Sequence, residues 1–269
     1  MIIVQTARPH PRLVPFVRLY VHRQTHQDGT EVVEPVVARL GTMLEFQFAM
    51  PYEIPVCGTD KYLVCPRIAV IGPITHRRVQ LVIRDHVESL AILFSPTGFH
   101  AIFGIPMSPF SDLGVEGDGV LGPEVTALNE RLGNAKSFFE RTELLDNFLI
   151  NQLRRRPMLD IIGVAFEDLI ATGLPATVAQ LARQTGLSLR QLERRTLEAA
   201  GVSPKMLTRI ARFQKALEMK AHRDLSWTNV AHAANYHDQM HMVRDFHVFA
   251  GDSPSRALAQ ISPDHLISL

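Results

Sequence analysis

The feature that most limits what this chain can fold into is a repeat. Ala200-Gly201-Val202-Ser203-Pro204 returns as Ala250-Gly251-Asp252-Ser253-Pro254, and Arg194 returns as Arg244, all at an offset of 50 residues. Further upstream, Leu181-Ala182 corresponds to Val230-Ala231 at an offset of 49, so the second copy has a turn one residue longer. Repetition with a single change of loop length calls for two copies of one supersecondary unit.

The segment Thr177 to Pro204 shows what that unit is. Thr177 with Gln180, and Ser188 with Gln191, both match the capping box, in which a hydroxyl caps the third helical amide and a Gln reaches back. Gly186 supplies the turn between them. Val178, Leu181 and Ala182 give the first helix an apolar face, and Leu189 and Leu192 are expected to do so for the second, which makes a helix-turn-helix. In the second copy Asp238 is the natural N-cap of the corresponding helix. Between the copies, Ser203-Pro204 starts a helix whose apolar positions Leu207, Ile210, Phe213, Ala216 and Leu217 run to about Ala221. A rod of roughly twenty residues spans about 30 Å. Successive major grooves on one face of a duplex lie about 34 Å apart, so the rod suits two recognition helices on adjacent turns of DNA.

On the first recognition helix, Arg190, Glu193 and Arg194 should lie opposite Leu189 and Leu192, with Ser188 at the cap and Arg195 beside them. Arg can donate two hydrogen bonds to guanine, and Glu can accept one from cytosine. On the second, Gln239, Met240, Val243 and Arg244 should face outward; Gln suits adenine, and Met and Val suit the thymine methyl. The competing reading makes the first set an exposed intrahelical charge network, and places Arg244 partly buried against an acidic residue. His232, His237, His241 and His247 read as surface or core histidines rather than metal ligands, and Trp227 as a core anchor.

The rest of the chain has a different character. Residues 1–171 hold 16 Lys+Arg against 19 Asp+Glu, whereas residues 172–269 hold 12 against 8, with six histidines besides, so a polyanion would prefer the second part. Short alternating runs at Met43 to Phe48, Arg67 to Ile71, Val79 to Ile83 and Ser89 to Phe94 suggest an antiparallel sandwich or barrel. The Pro- and Gly-rich stretch 95–114 keeps apolar residues throughout and reads as a packed connection closing the β part. From Gly122 to about Leu153 apolar residues recur at three and four, predicting two helices broken at Gly133-Asn134, then Arg154-Arg155-Arg156 as a solvated helix end and a further helical segment from Leu159 to Ile170. The fold class is therefore α+β: a β-rich barrel or sandwich with trailing helices over residues 1–157, then an all-α domain with two helix-turn-helix units over 158–269. The absence of a signal-like segment and of any run of about 18 apolar residues leads to the expectation of a cytoplasmic protein without a membrane partner. Cys57 and Cys65 read as buried or incidental thiols.

The helical part resembles the DNA-binding domain of the AraC/XylS family of transcription regulators. The residues carrying the resemblance are Leu181-Ala182-x-x-x-Gly186-Leu187-Ser188, Leu192-x-Arg194, Gly201-Val202-Ser203-Pro204, Asp238-Gln239-x-His241-x-x-Arg244-Asp245-Phe246 and Gly251-x-Ser253-Pro254. Thr196, Asn235 and Met242 depart from the family's usual aromatic, turn glycine and aromatic. The β part is similar to a cupin-like sensor domain through Phe94-Ser-Pro96-Thr-Gly98-Phe99 and Phe103-Gly104. The resemblance implies a sequence-specific regulator binding double-stranded DNA, controlled through its N-terminal domain by a small effector or by dimerisation, with RNA polymerase and a second copy as further partners. No cofactor is expected, and no His-x-His run with a downstream Glu marks a cupin metal site; His22, His26, His76 and His86 are scattered. The alternatives are a metal-dependent enzymatic β domain, or an effector-free interaction domain.

Overall fold

The computed structural model describes residues 2–26, 31–55, 62–77, 79–84, 86–155, 162–166 and 177–261. Ten strands form two sheets: β1 (Ile2–Ala7), β2 (Val17–His26), β3 (Val32–Pro35), β4 (Met43–Gln47), β5 (Glu53–Pro55), β6 (Tyr62–Val64), β7 (Ile68–Ile71), β8 (Gln80–Ile83), β9 (His86–Phe94) and β10 (Gly114–Glu116). Six of them make an antiparallel sheet in the order β1-β2-β9-β4-β7-β10, and four make a second in the order β3-β8-β5-β6. The two sheets do not close, so of the two β architectures expected the sandwich holds and the barrel does not. The four alternating runs correspond to β4, β7, β8 and β9; the stretch 95–114 does not end the β part, because β10 returns to the sheet edge beside β7.

Period-two alternation divides the larger sheet into two faces. Leu44, Phe46, Ile68, Val70, Leu90, Ile92 and Phe94 point to one side, where they bury against α1 (Gly98–Phe103), α3 (Pro123–Asn134) and α4 (Phe138–Arg155) through Phe99, Val125, Leu128, Leu145 and Leu149. A short α2 (Gly117–Leu121) leads into this layer. The helical break lies at residues 135–137, just past the expected Gly133-Asn134. Residues 162–166 are helical and contribute Ile162 and Phe166 to the second core; the remainder of the Leu159 to Ile170 segment, the proposed boundary near residue 157, and Cys57 lie outside the described residues.

The helical part comprises α5 (Val178–Thr185), α6 (Leu189–Ala200), α7 (Pro204–His222), α8 (Trp227–Ala233), α9 (Gln239–Phe249) and α10 (Pro254–Gln260). Helix α7 places Leu207, Ile210, Phe213, Ala216 and Leu217 in one stripe, and both helix-turn-helix units bury their apolar faces against it. Its 19 residues rise about 28 Å. Val37, Ala38 and Leu40 of the β part belong to this same core.

Candidate nucleic-acid interface

Both capping boxes of the first unit form as the spacing requires. Thr177 Oγ1 accepts from Gln180 N at 3.2 Å while Gln180 Oε1 accepts from Thr177 N at 2.7 Å, and Ser188 and Gln191 repeat the pattern at 3.2 and 3.0 Å. Gly186 takes φ 65° with open space around it, so conformation, not packing, calls for glycine in that turn. The expectation for Leu189 is corrected: it is 55% exposed, and α6 buries Leu192, Thr196, Ala199 and Ala200 instead. Leu189 is the first residue of α6, and most of its surface is left uncovered there, which the spacing of apolar residues alone does not convey.

Arg190, Glu193, Arg194 and Arg195 are all exposed on α6. Among the described residues none of the four side chains is held in an ion pair or hydrogen bond, so the intrahelical charge network does not form and three cations stand free at one helix surface. Ser188 is exposed too, but its oxygen is engaged as the helix cap.

The second unit is built differently. Asp238 Oδ1 accepts from His241 N at 2.6 Å, and that amide, with His237 at 3.1 Å, holds the Asp238 carboxyl below the usual carboxylate range. Asn235 occupies the turn with φ 60°, a left-handed conformation that asparagine tolerates better than most residues. Gln239, Met240 and Arg244 are exposed and Val243 is half-buried. Gln239 Oε1 accepts from Thr228 Oγ1 at 2.8 Å, which turns its amide donors outward. Arg244 is exposed and has no acidic partner among the described residues, so the partly buried alternative is corrected: the inward ion pair is made by its neighbour Asp245, 1% exposed, which accepts from Arg209 Nη2 at 2.6 Å and Nε at 3.2 Å. Arg209 lies on α7, so this pair fixes the second recognition helix to the connecting rod. Phe213 packs edge-on to Phe246 and tilted against Phe249 beside it, with Trp227 edge-on to Phe246 at 5.5 Å and donating to Ser255 Oγ at 2.8 Å, as befits an anchor. Sequence reasoning missed the Arg209–Asp245 pair, because an Asp beside a recognition-helix Arg gives no sign of pointing inward.

A second feature escaped it. The last carbonyls of a helix have no partner within it, and in both recognition helices the β part supplies one. At the end of α6, Met107 N donates to Glu198 O at 2.7 Å and Ser111 Oγ donates to Gly201 O. At the end of α9, Ala38 N donates to Phe249 O at 2.8 Å, Arg77 N to Val248 O at 3.3 Å and Arg77 Nη1 to Ala250 O at 2.9 Å. The repeat-related glycines mark both seats. A Cβ on Gly201 would fall 2.8 Å from Met107 O, and one on Gly251 would fall 2.7 Å from Arg77 Cδ. The segments 36–40 and 73–77 that grip α9 also pair with each other through Arg39 and Ile74.

Residues 181–260 match the model of a helix-turn-helix domain, and residues 5–116 match that of a domain of unknown function, DUF6597. Residues 181–260 thus form a helix-turn-helix domain. A search of curated protein sequences finds no match. Among solved structures, ToxT from Vibrio cholerae O395 is similar with a TM-score of 0.50 at 12% identity, covering 97% of this chain and 98% of that chain. ToxT from Vibrio cholerae strain SCE256, in a structure with unsaturated fatty acid bound, gives 0.49 at 9%, covering 97% and 96%. The DNA-binding domain of AdpA, solved in complex with a target DNA, gives 0.36 at 20%, covering 38% of this chain and 92% of that one. At 12% identity the likeness to ToxT from Vibrio cholerae O395 is one of fold.

Three positions depart from the AraC/XylS pattern that the helical part resembles, and each has a local solution. Thr196 is fully buried, Met242 is fully buried, and Asn235 makes the left-handed turn. Small and flexible side chains thus fill two core positions that aromatics commonly occupy. No described helix is long and apolar enough to cross a membrane. Among the described residues no group of three or more His, Cys, Asp or Glu is disposed around a metal position.

Proposed function

We propose that this DNA-binding regulator reads sequence mainly through Arg190, Glu193, Arg194 and Arg195 of α6, with Ser188 near the backbone, and sets register through Gln239, Met240, Val243 and Arg244 of α9. The observation that carries this reading is the state of the two surfaces. Three arginines on α6 are exposed with no partner among the described residues, so they can exchange counterions for phosphate or donate to guanine without breaking a pair described here. On α9 the only exposed cation among the contact residues is Arg244, and the exposed Asp238 adds a negative charge at the helix start. That surface suits shape and backbone contact more than base reading.

We further infer that residues 1–157 regulate residues 158–269 through the seats at Met107, Ser111, Ala38 and Arg77. Capping the ends of both recognition helices lets a change in the β part alter their orientation together, provided an effector binds the two arrangements with different affinity. Selection of bound duplexes from random DNA by the full chain tests the first proposal. Two boxes about one helical turn apart are expected, with the more selective one lost in Arg194→Ala. Enrichment of a single box, or of none, would contradict it.

A further inference from the structure

The seats that cap the two recognition helices come from different stretches of the β part, and one carboxylate joins them. Met107 and Ser111, at the end of α6, are followed directly by Asp112, and Arg77, at the end of α9, stands two residues past Thr75. Asp112 Oδ2 accepts from Thr75 Oγ1 at 2.6 Å and Asp112 Oδ1 accepts from Thr75 N at 2.7 Å, while Asp112 N donates to Pro73 O at 2.9 Å. His76 Nδ1 adds a further contact, 2.8 Å from Thr75 Oγ1.

The backbone on both sides is shaped around this clasp. Asp112 holds φ 59°, a left-handed backbone that is costly for most side chains and is kept where the surroundings fix it. A Cβ on Gly72 would fall 2.0 Å from Phe110 O, so glycine there lets the two stretches lie against each other. The stretch 73–77 is bonded in turn to 36–40 through Arg39 and Ile74. A continuous path of covalent and hydrogen bonds therefore runs through the β part from Gly201, at the end of α6, to Phe249, at the end of α9.

The two helices depend on that path to different degrees. Asp245 and Arg209 hold α9 to α7, whereas among the described residues no side chain of α6 is joined to α7 by a hydrogen bond or ion pair. Recognition helices present their N-terminal residues to the bases, and the seats hold the opposite ends. The 12 residues of α6 span about 18 Å. A tilt of about 10° at its seat therefore carries the far end about 3 Å, close to the roughly 3.4 Å between successive base pairs.

We propose that Asp112 is a positioning residue for DNA recognition: its clasp on Thr75 makes the two seats one block, which fixes the recognition helices relative to each other and restricts the chain to duplexes whose two boxes stand at one spacing. This gauge rests on the two-box reading given above. Beyond that reading, it makes the β part, as well as α7, set the distance between the boxes.

Competition gel shifts with the full chain test the gauge, using the duplex selected from random DNA, the same duplex with one base pair inserted or removed between the boxes, and the more selective box alone. The readout is the ratio of affinities at the selected and altered spacings. For the wild type it should be about tenfold, within the range of a mismatched base pair. Asp112→Gly removes the carboxylate and suits the left-handed backbone. Its ratio should fall to about twofold or less, with single-box binding as in the wild type. Thr75→Val, which loses the hydroxyl alone, should lower the ratio in the same direction and serves in its place should Asp112→Gly not fold. Asp112→Asn keeps an acceptor for the Thr75 amide and should restore most of the ratio. A merely structural role would weaken single-box and two-box duplexes alike and leave the ratio unchanged. An unchanged ratio in the variants, or a wild type indifferent to spacing, overturns the gauge and leaves the two-box reading standing; selection of a single box overturns both.

Discussion

The two helix-turn-helix units share a sequence frame, but they use their charges in opposite directions. The first is held by neutral devices: two reciprocal capping boxes, a glycine turn, and a core in which Thr196 contributes little bulk. Its arginines are left exposed. The second invests in its interior, with Asp245 bound to Arg209 and three phenylalanines packed at the junction with α7. Its outward face is largely neutral. A repeat can thus preserve backbone geometry while one copy leaves its charge exposed and the other uses it to lock its own orientation.

The sharpest way to break this contrast is to remove the locked charge. Arg209→Ala leaves Asp245 buried without its cation and is expected to cost about 3 kcal/mol in urea denaturation. Arg190→Ala in the first unit should stay within about 0.5 kcal/mol, as for an exposed side chain without partners. Equal losses would remove the distinction. On the binding side, Arg194→Ala should weaken a selected duplex by about 1 to 3 kcal/mol and relax specificity at one or two positions. Arg244→Ala should weaken specific and random duplexes alike, as read by gel shift or fluorescence anisotropy across a salt series. The buried Thr196 hydroxyl, which lacks a partner among the described residues, makes a smaller prediction: Thr196→Val should stabilise the protein by up to about 1 kcal/mol with DNA affinity unchanged. Smallest is the turn. Asn235→Gly should change stability by no more than about 0.5 kcal/mol, because relief of the left-handed conformation is offset by a more flexible unfolded chain.

Much of the helical half was legible because its determinants are local. Capping residues act within three positions of themselves, and the apolar stripe of α7 follows from helical period alone. Strands β4, β7, β8 and β9 were legible by alternation, but β1, β2, β3, β5, β6 and β10 were not: all of these but the ten-residue β2 are short or exposed edge pieces whose pairing comes from elsewhere in the chain. Leu189 misled for a related reason, since an apolar side chain beside a cap belongs to the core only if a neighbour covers it.

The repeat, taken by itself, determined that two like units would follow one another across a helical rod, and which residues would start each helix, because these depend on hydrogen bonds and spacings within a few residues. Only the tertiary structure decided that Asp245 turns inward to Arg209 and that Ala38, Arg77, Met107 and Ser111 cap the last carbonyls of α6 and α9, beside Gly201 and Gly251. It likewise decided that the Asp112 carboxylate meets Thr75. Those contacts join residues far apart in the chain, and what selects them is the burial of charge and of unpaired carbonyls, a requirement that arises only when the distant segments meet.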